Sequence, residues 1–219
     1  MFGNDPLVLA YGFRAWPQCL EGDSAAALAD TAECAAASKA VAHPFDRCWQ
    51  LLVGSLAFYF TGDRDALARN LAEAKELGET QNVDFVNYVM GPVWTGLLHI
   101  LDKEWEDAIA AMTPGVEIWK ATGGGVILPF WEGSLAIAHA GAGRREVARA
   151  LLDGAIARAE ETGETWYLPE LHRLLAGVLA GADDGGARES LARARALAEQ
   201  SGALGVARRV DADFSQFAA

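Results

Sequence analysis

Cysteine is scarce in this sequence. Cys19, Cys34 and Cys48 are its three copies. They are odd in number and far apart, which excludes a disulfide framework and a zinc-knuckle spacing and suits a reducing compartment. Long apolar runs are missing too: no stretch of about 18 apolar residues exists, so no membrane-spanning helix is expected. The start, Met1-Phe2-Gly3-Asn4-Asp5-Pro6, lacks the basic residues and apolar stretch of a signal peptide, and a cytoplasmic location is the expectation. Positive charge is in the minority. The 18 basic residues face 30 acidic ones, for a net charge of −12. That balance repels a phosphate polymer and argues against nucleic acid as a partner. Residues 1–140 hold 8 basic and 18 acidic groups, whereas 141–219 hold 10 and 12. A partner drawn by charge would be basic and would favour the N-terminal two-thirds. No alternating strand pattern appears, and Val126-Ile127-Leu128 is too short to make one.

What is present is apolar and periodic. Of the 219 residues, 52% are hydrophobic, enough for a folded core. A tight turn with nearby acids recurs ahead of Ala27, Ala66, Ala108, Ala148 and Ala187, whose spacings are 39, 42, 40 and 39. A second row of small residues lies about twelve positions earlier: Ala15, Gly54, Gly96, Ala136 and Ala176. Two helix axes approach to about 8 Å only where no large side chain intervenes. Each period therefore predicts one antiparallel hairpin, helix A then helix B, crossing at its small residues. Seven residues past the helix B alanine comes Cys34, Gly115, Ala155 or Ala194. The second repeat has Glu73 there, and Leu67 and Ala74 are expected to take over.

The punctuation agrees. Helix B tends to end near glycine (Gly78, Gly123, Gly163, Gly202), and helix A opens near Pro6, Pro44, Asp84, Pro129 and Pro169. Pro17, Pro92 and Pro114 fall inside helices and are expected to kink or shorten them. The prediction is a single all-α domain, a right-handed α-α superhelix of about five hairpins. Its repeats span about 5–41, 43–81, 83–122, 125–162 and 165–201, closed by a capping helix over about 203–218.

This pattern resembles tetratricopeptide repeats in a lengthened form, the usual period being about 34. Gly143 to Ala159 is close to a consensus helix B. The segment from Ala159 to Gly177, with Thr162-Gly163-Glu164, Trp166 and Glu170-Leu171-His172-Arg173-Leu174, is similar to the C-terminal repeat region of large bacterial signalling ATPases. Those are often fused to class III adenylate or guanylate cyclase domains. The sequence His43-Pro44-Phe45 and the stretch from Ala198 to Phe217 also fit. The resemblance implies a regulatory, partner-binding array. The chain departs from those relatives in having no P-loop and no cyclase catalytic region.

Few residues suggest chemistry. Gly123-Gly124-Gly125 follows a helix and has no lysine after it, so it reads as a linker and not as a phosphate loop. The histidines His43, His99, His139 and His172 form no HxxxH or HExxH pattern, and neither a metal nor any other cofactor is expected. Glu132 and Glu170 are the acids well inside helices A, with no nucleophile beside them, and Ser134 and His139 lie five apart on the wrong helix faces. The chain is expected not to be an enzyme. Polar residues do recur at two helix A positions seven apart, through Gln50, Glu132 and His172 in one row and His99 and His139 in the other. With Trp94 and Trp131 they form the expected binding surface of a concave groove. The ligand class expected on this reading is a protein or peptide; the alternative is a metabolite enclosed in the same groove. Oligomeric state is open.

Overall fold

The computed structural model describes residues 5–217. The protein is all-α, and no strand occurs among the described residues. Helices α1 (Pro6–Glu21), α2 (Ser24–Val41), α3 (Pro44–Leu52), α4 (Leu56–Thr61) and α5 (Arg64–Thr80) come first. A π-helical turn, Val86–Met90, then leads into α6 (Gly91–Asp102), followed by α7 (Trp105–Ala121). The rest is α8 (Leu128–Gly141), α9 (Arg145–Thr162), α10 (Leu168–Leu179), α11 (Asp184–Ser201) and α12 (Leu204–Phe217). The expected cap ran to 218, and Ala218 lies outside the described residues. No helix among the described residues is long and apolar enough to cross a membrane. The chain divides into two compact units, one of residues 1–19 and 23–121, the other of 20–22 and 122–219.

In the first unit the small residues of both rows lie inside. Ala15, Gly54, Gly96, Ala27, Ala66 and Ala108 are all buried. At Gly96 a Cβ would overlap Met112 Cγ and stand 2.9 Å from the Ala108 carbonyl oxygen, so α6 and α7 touch there almost backbone to backbone. Leu67 and Ala74 are buried while Glu73 is exposed, as the missing small residue of that repeat required. The acids ahead of two of these alanines also have a local reason. Asp23 and Asp63 accept a hydrogen bond from the N–H of Ala26 and Ala66, each at 3.0 Å, capping α2 and α5.

The second helix A is not continuous. It breaks between α3 and α4 because consecutive carbonyls leave the helical ladder for other donors. Trp94 Nε1 donates to the Leu52 oxygen at 2.9 Å, Trp16 Nε1 to Val53 at 3.0 Å and Thr31 Oγ1 to Gly54 at 2.9 Å. These donors come from α6, α1 and α2, so the break lies where three other helices converge. Of the three prolines, only Pro92 sits at an irregularity. It is the second residue of α6, directly after the π-helical turn, in which the Gly91 N–H reaches back to the Val86 carbonyl. Pro17 and Pro114 do not end their helices; α1 and α7 run on past them.

In the second unit Ala136, Ala148, Ala155, Ala176, Ala187 and Ala194 are buried in the same way. Gly163 holds the left-handed φ of +75° that ends α9. Ile127 is the less comfortable case, a β-branched residue at φ 66° just before α8. Its N–H donates to Glu164 Oε1 at 2.7 Å, and Trp166 Nε1 donates to the same oxygen at 3.1 Å. Burial raises the Glu164 carboxyl above its usual range, against the pull of those two donors. Two of the residues that carry the family resemblance thus have a structural use: they clamp the entry to α8. The last helix is amphipathic. Val206 and Val210 are fully buried, while Arg208 and Arg209 face solvent.

Candidate functional site

The feature that stands out in the first unit is a row of half-buried aromatic rings. The His43 ring nitrogen accepts from the Phe45 N–H at 3.2 Å and Pro44 occupies the first turn, so α3 starts sharply. Phe45 and Trp49, four residues apart, then share one face. Their rings stack with centroids 6.3 Å apart and planes at 29°. Trp49 stacks in turn on Phe85 at 6.3 Å and 19°, and Phe85 leans on Trp119 of α7 at 5.1 Å. Phe13 of α1 meets Trp49 edge-on at 6.1 Å. Each of these five rings keeps part of its surface in water. The Trp49 Nε1 is shielded and has no hydrogen-bond partner among the described residues. Such a row offers a ligand large apolar area at little side-chain entropy, since each ring already rests on a neighbour.

Charged pairs lie on the same helices. Arg14 is paired with Asp30, and its guanidinium holds that carboxyl below the usual carboxylate range despite burial. Arg47 donates to Glu73 Oε1 at 2.6 and 2.9 Å and also to Gln50 Oε1. Gln50, expected at the binding surface, is therefore buried and engaged by its own helix. Trp94 is a clear correction. It is 0% exposed, and its indole N–H is committed to the Leu52 carbonyl. It is core and not part of the accessible surface. His99 remains accessible at the end of α6, with its Nδ1 2.6 Å from Glu104 Oε2. One donor atom each from His99, Glu104 and Asp107 lies within 4.8 Å of the others.

In the second unit Trp131 is likewise 0% exposed, a second correction. Glu132 is buried and receives Arg158 Nε at 3.2 Å, so its charge is compensated within the hairpin. His139 is half-buried. His172 is half-buried, and its shielded Nε2 has no hydrogen-bond partner among the described residues. Burial, then the neighbouring Arg193 charge, keep its imidazole below the ordinary histidine range, with Glu160 pulling the other way. The heaviest charge cluster surrounds Glu170. Arg173 grips that carboxylate at 2.7 and 3.0 Å, Arg209 of α12 adds a contact at 3.1 Å, and Arg173 also reaches Asp213 at 2.8 Å. Glu132 and Glu170 are thus both ion-paired inside the unit. An apolar groove of about 290 Å³ lies between α8, α9 and α10, lined by Ala136, Ile137, Ala140, Leu152, Leu174 and Val178 with Arg145 at its edge.

No thiolate is ready for nucleophilic work. Burial pushes Cys19 and Cys34 up to about 12 and Cys48 to about 11. A thiol-specific reagent at pH 8 is expected to leave all three unlabelled in the folded chain and to count three in denaturant; prompt labelling without denaturant would refute that burial. Sequence reasoning passed over the aromatic row. Its signal was present in the pair Phe45 and Trp49, but the other rings come from separate repeats. Compared with models of known families and with curated proteins, the sequence matches none.

Proposed function

We propose that this chain is a non-catalytic binding module that holds a segment of a protein partner. Its hairpins would stack as a right-handed, tetratricopeptide-like superhelix, and the array would serve as the regulatory repeat module of a signalling ATPase or cyclase. The resemblance through Thr162-Gly163-Glu164 and the segment to Leu174 supports that context. The observation that carries the binding reading is the half-buried row Phe13, Phe45, Trp49, Phe85 and Trp119. The partner's chemistry follows from charge. The first unit holds 8 basic and 16 acidic residues, a net of −8, so an extended basic segment with apolar or aromatic side chains fits best. A peptide library displayed against the full chain is expected to enrich such sequences. Enrichment of acidic peptides, or of none, would count against the proposal.

A metabolite-sensing role has one specific support, the groove beside Arg145. Its volume of about 290 Å³ is near the lower end of ligand sites. A small apolar carboxylate would suit it, and Leu174→Trp should then abolish metabolite binding without affecting the peptide.

A further inference from the structure

We propose that His99, Glu104 and Asp107 form a binding site for a first-row transition-metal dication, for which Zn²⁺ is the probe. The turn between α6 and α7 builds it. Lys103 takes the left-handed φ of 60°, and the Glu104 N–H donates to the His99 carbonyl at 2.8 Å. That tight reversal sets the last turn of α6 against the first of α7 and brings His99 Nδ1 to 2.6 Å from Glu104 Oε2. Asp107 follows Glu104 by three residues and therefore shares its helix face.

One nitrogen and two carboxylate oxygens lie mutually within 4.8 Å. Ligands on tetrahedral zinc stand about 3.3 Å apart, given metal–ligand bonds of about 2.0–2.2 Å. Side-chain rotations of roughly 1 Å would thus close the set around an ion. The contact between His99 and Glu104 alone is an ordinary pair; the third donor on the neighbouring turn is what makes the group a cation site. His99 is 30% exposed and Glu104 50%, which leaves room for water to complete the coordination shell. Charge favours the same outcome. Two carboxylates balance a dication. Arg64 also feels Glu104, yet it is occupied by Asp102 through contacts of 2.7, 2.8 and 3.0 Å. Imidazole with carboxylates selects zinc-like ions, whereas calcium prefers six or more oxygens. The sequence hides the site because its donors are spaced five and three residues apart across a turn, not four apart on one helix.

The test is calorimetric titration of the untagged full chain with Zn²⁺, and with Ca²⁺ in parallel. One Zn²⁺ per chain is expected. His99→Ala and Glu104→Gln should each weaken it tenfold or more, while His43→Ala and His172→Ala leave it unchanged. Co²⁺ should give a visible absorption band that His99→Ala loses. Circular dichroism of each variant checks that the helices persist, and Glu104→Gln retains a hydrogen-bonding partner for the imidazole. No Zn²⁺ uptake, undiminished uptake by His99→Ala, or equal affinity for Ca²⁺ would overturn the assignment.

Discussion

Replacing Gly96 by leucine should destabilise the protein by about 3 kcal/mol or more, the upper end of what overpacking a core produces. The reason is geometric. A single added carbon already meets Met112 Cγ and the Ala108 backbone oxygen, and only the former can move aside. Alanine at 96 should cost about 1–3 kcal/mol for the same reason. The control is Gly154 in α9, where a Cβ would meet nothing within 4 Å. There Gly→Ala should stabilise by about 0.5–1 kcal/mol, because only the entropy of the unfolded chain changes. Urea unfolding of the three variants checks both signs. A neutral Gly96→Leu would mean that α6 and α7 do not cross at that residue.

Glu170→Ala is the second large expected effect, a loss of about 3 kcal/mol. The carboxylate is buried against Arg173 and Arg209, and removing it leaves Arg173 with Asp213 as its remaining acid partner. Glu170→Gln separates charge from shape. Burial alone would raise the Glu170 carboxyl, but the two guanidiniums outweigh it and hold it below its ordinary value of 4.5. A carboxyl lower in the folded than in the unfolded state adds stability that is fully present above about pH 4.5 and is lost as the pH falls through the folded value. The gap between wild type and Glu170→Gln, read by denaturant unfolding, should therefore be widest near neutrality and shrink in acid. A gap that grows on acidification would reverse the sign of this coupling.

Packing was legible in the sequence because it repeats. Ala15, Gly54 and Gly96 in one row, and Ala27, Ala66 and Ala108 in the other, had to be small for helices to approach, and a constraint that returns every forty residues can be counted. The acids before three of the alanines were equally local: Asp23, Asp63 and Asp183 cap their own helices. Polar roles were harder to read, since periodicity does not say which partner a polar side chain will take. Nothing near Trp94 announces that its indole will bind the Leu52 carbonyl, 42 residues away. Glu132 finds Arg158 and Gln50 finds Arg47 on surfaces that periodicity alone left facing a ligand. Both tryptophans chosen as binding residues were therefore core. The half-buried aromatic face was assembled from Phe13, Trp49, Phe85 and Trp119, one contribution from each of four segments. The break at Gly54 escaped for a related reason: it needs Thr31, Trp16 and Trp94 to converge on three adjacent carbonyls.

Whether this chain binds through its aromatic row can be read from one titration. The peptide best enriched against the full protein is measured against wild type and against Trp49→Ala with Phe85→Ala. At least a tenfold loss of affinity with an unchanged helical signal is the predicted result. Equal affinity in the doubly substituted protein would place the ligand elsewhere and contradict the account.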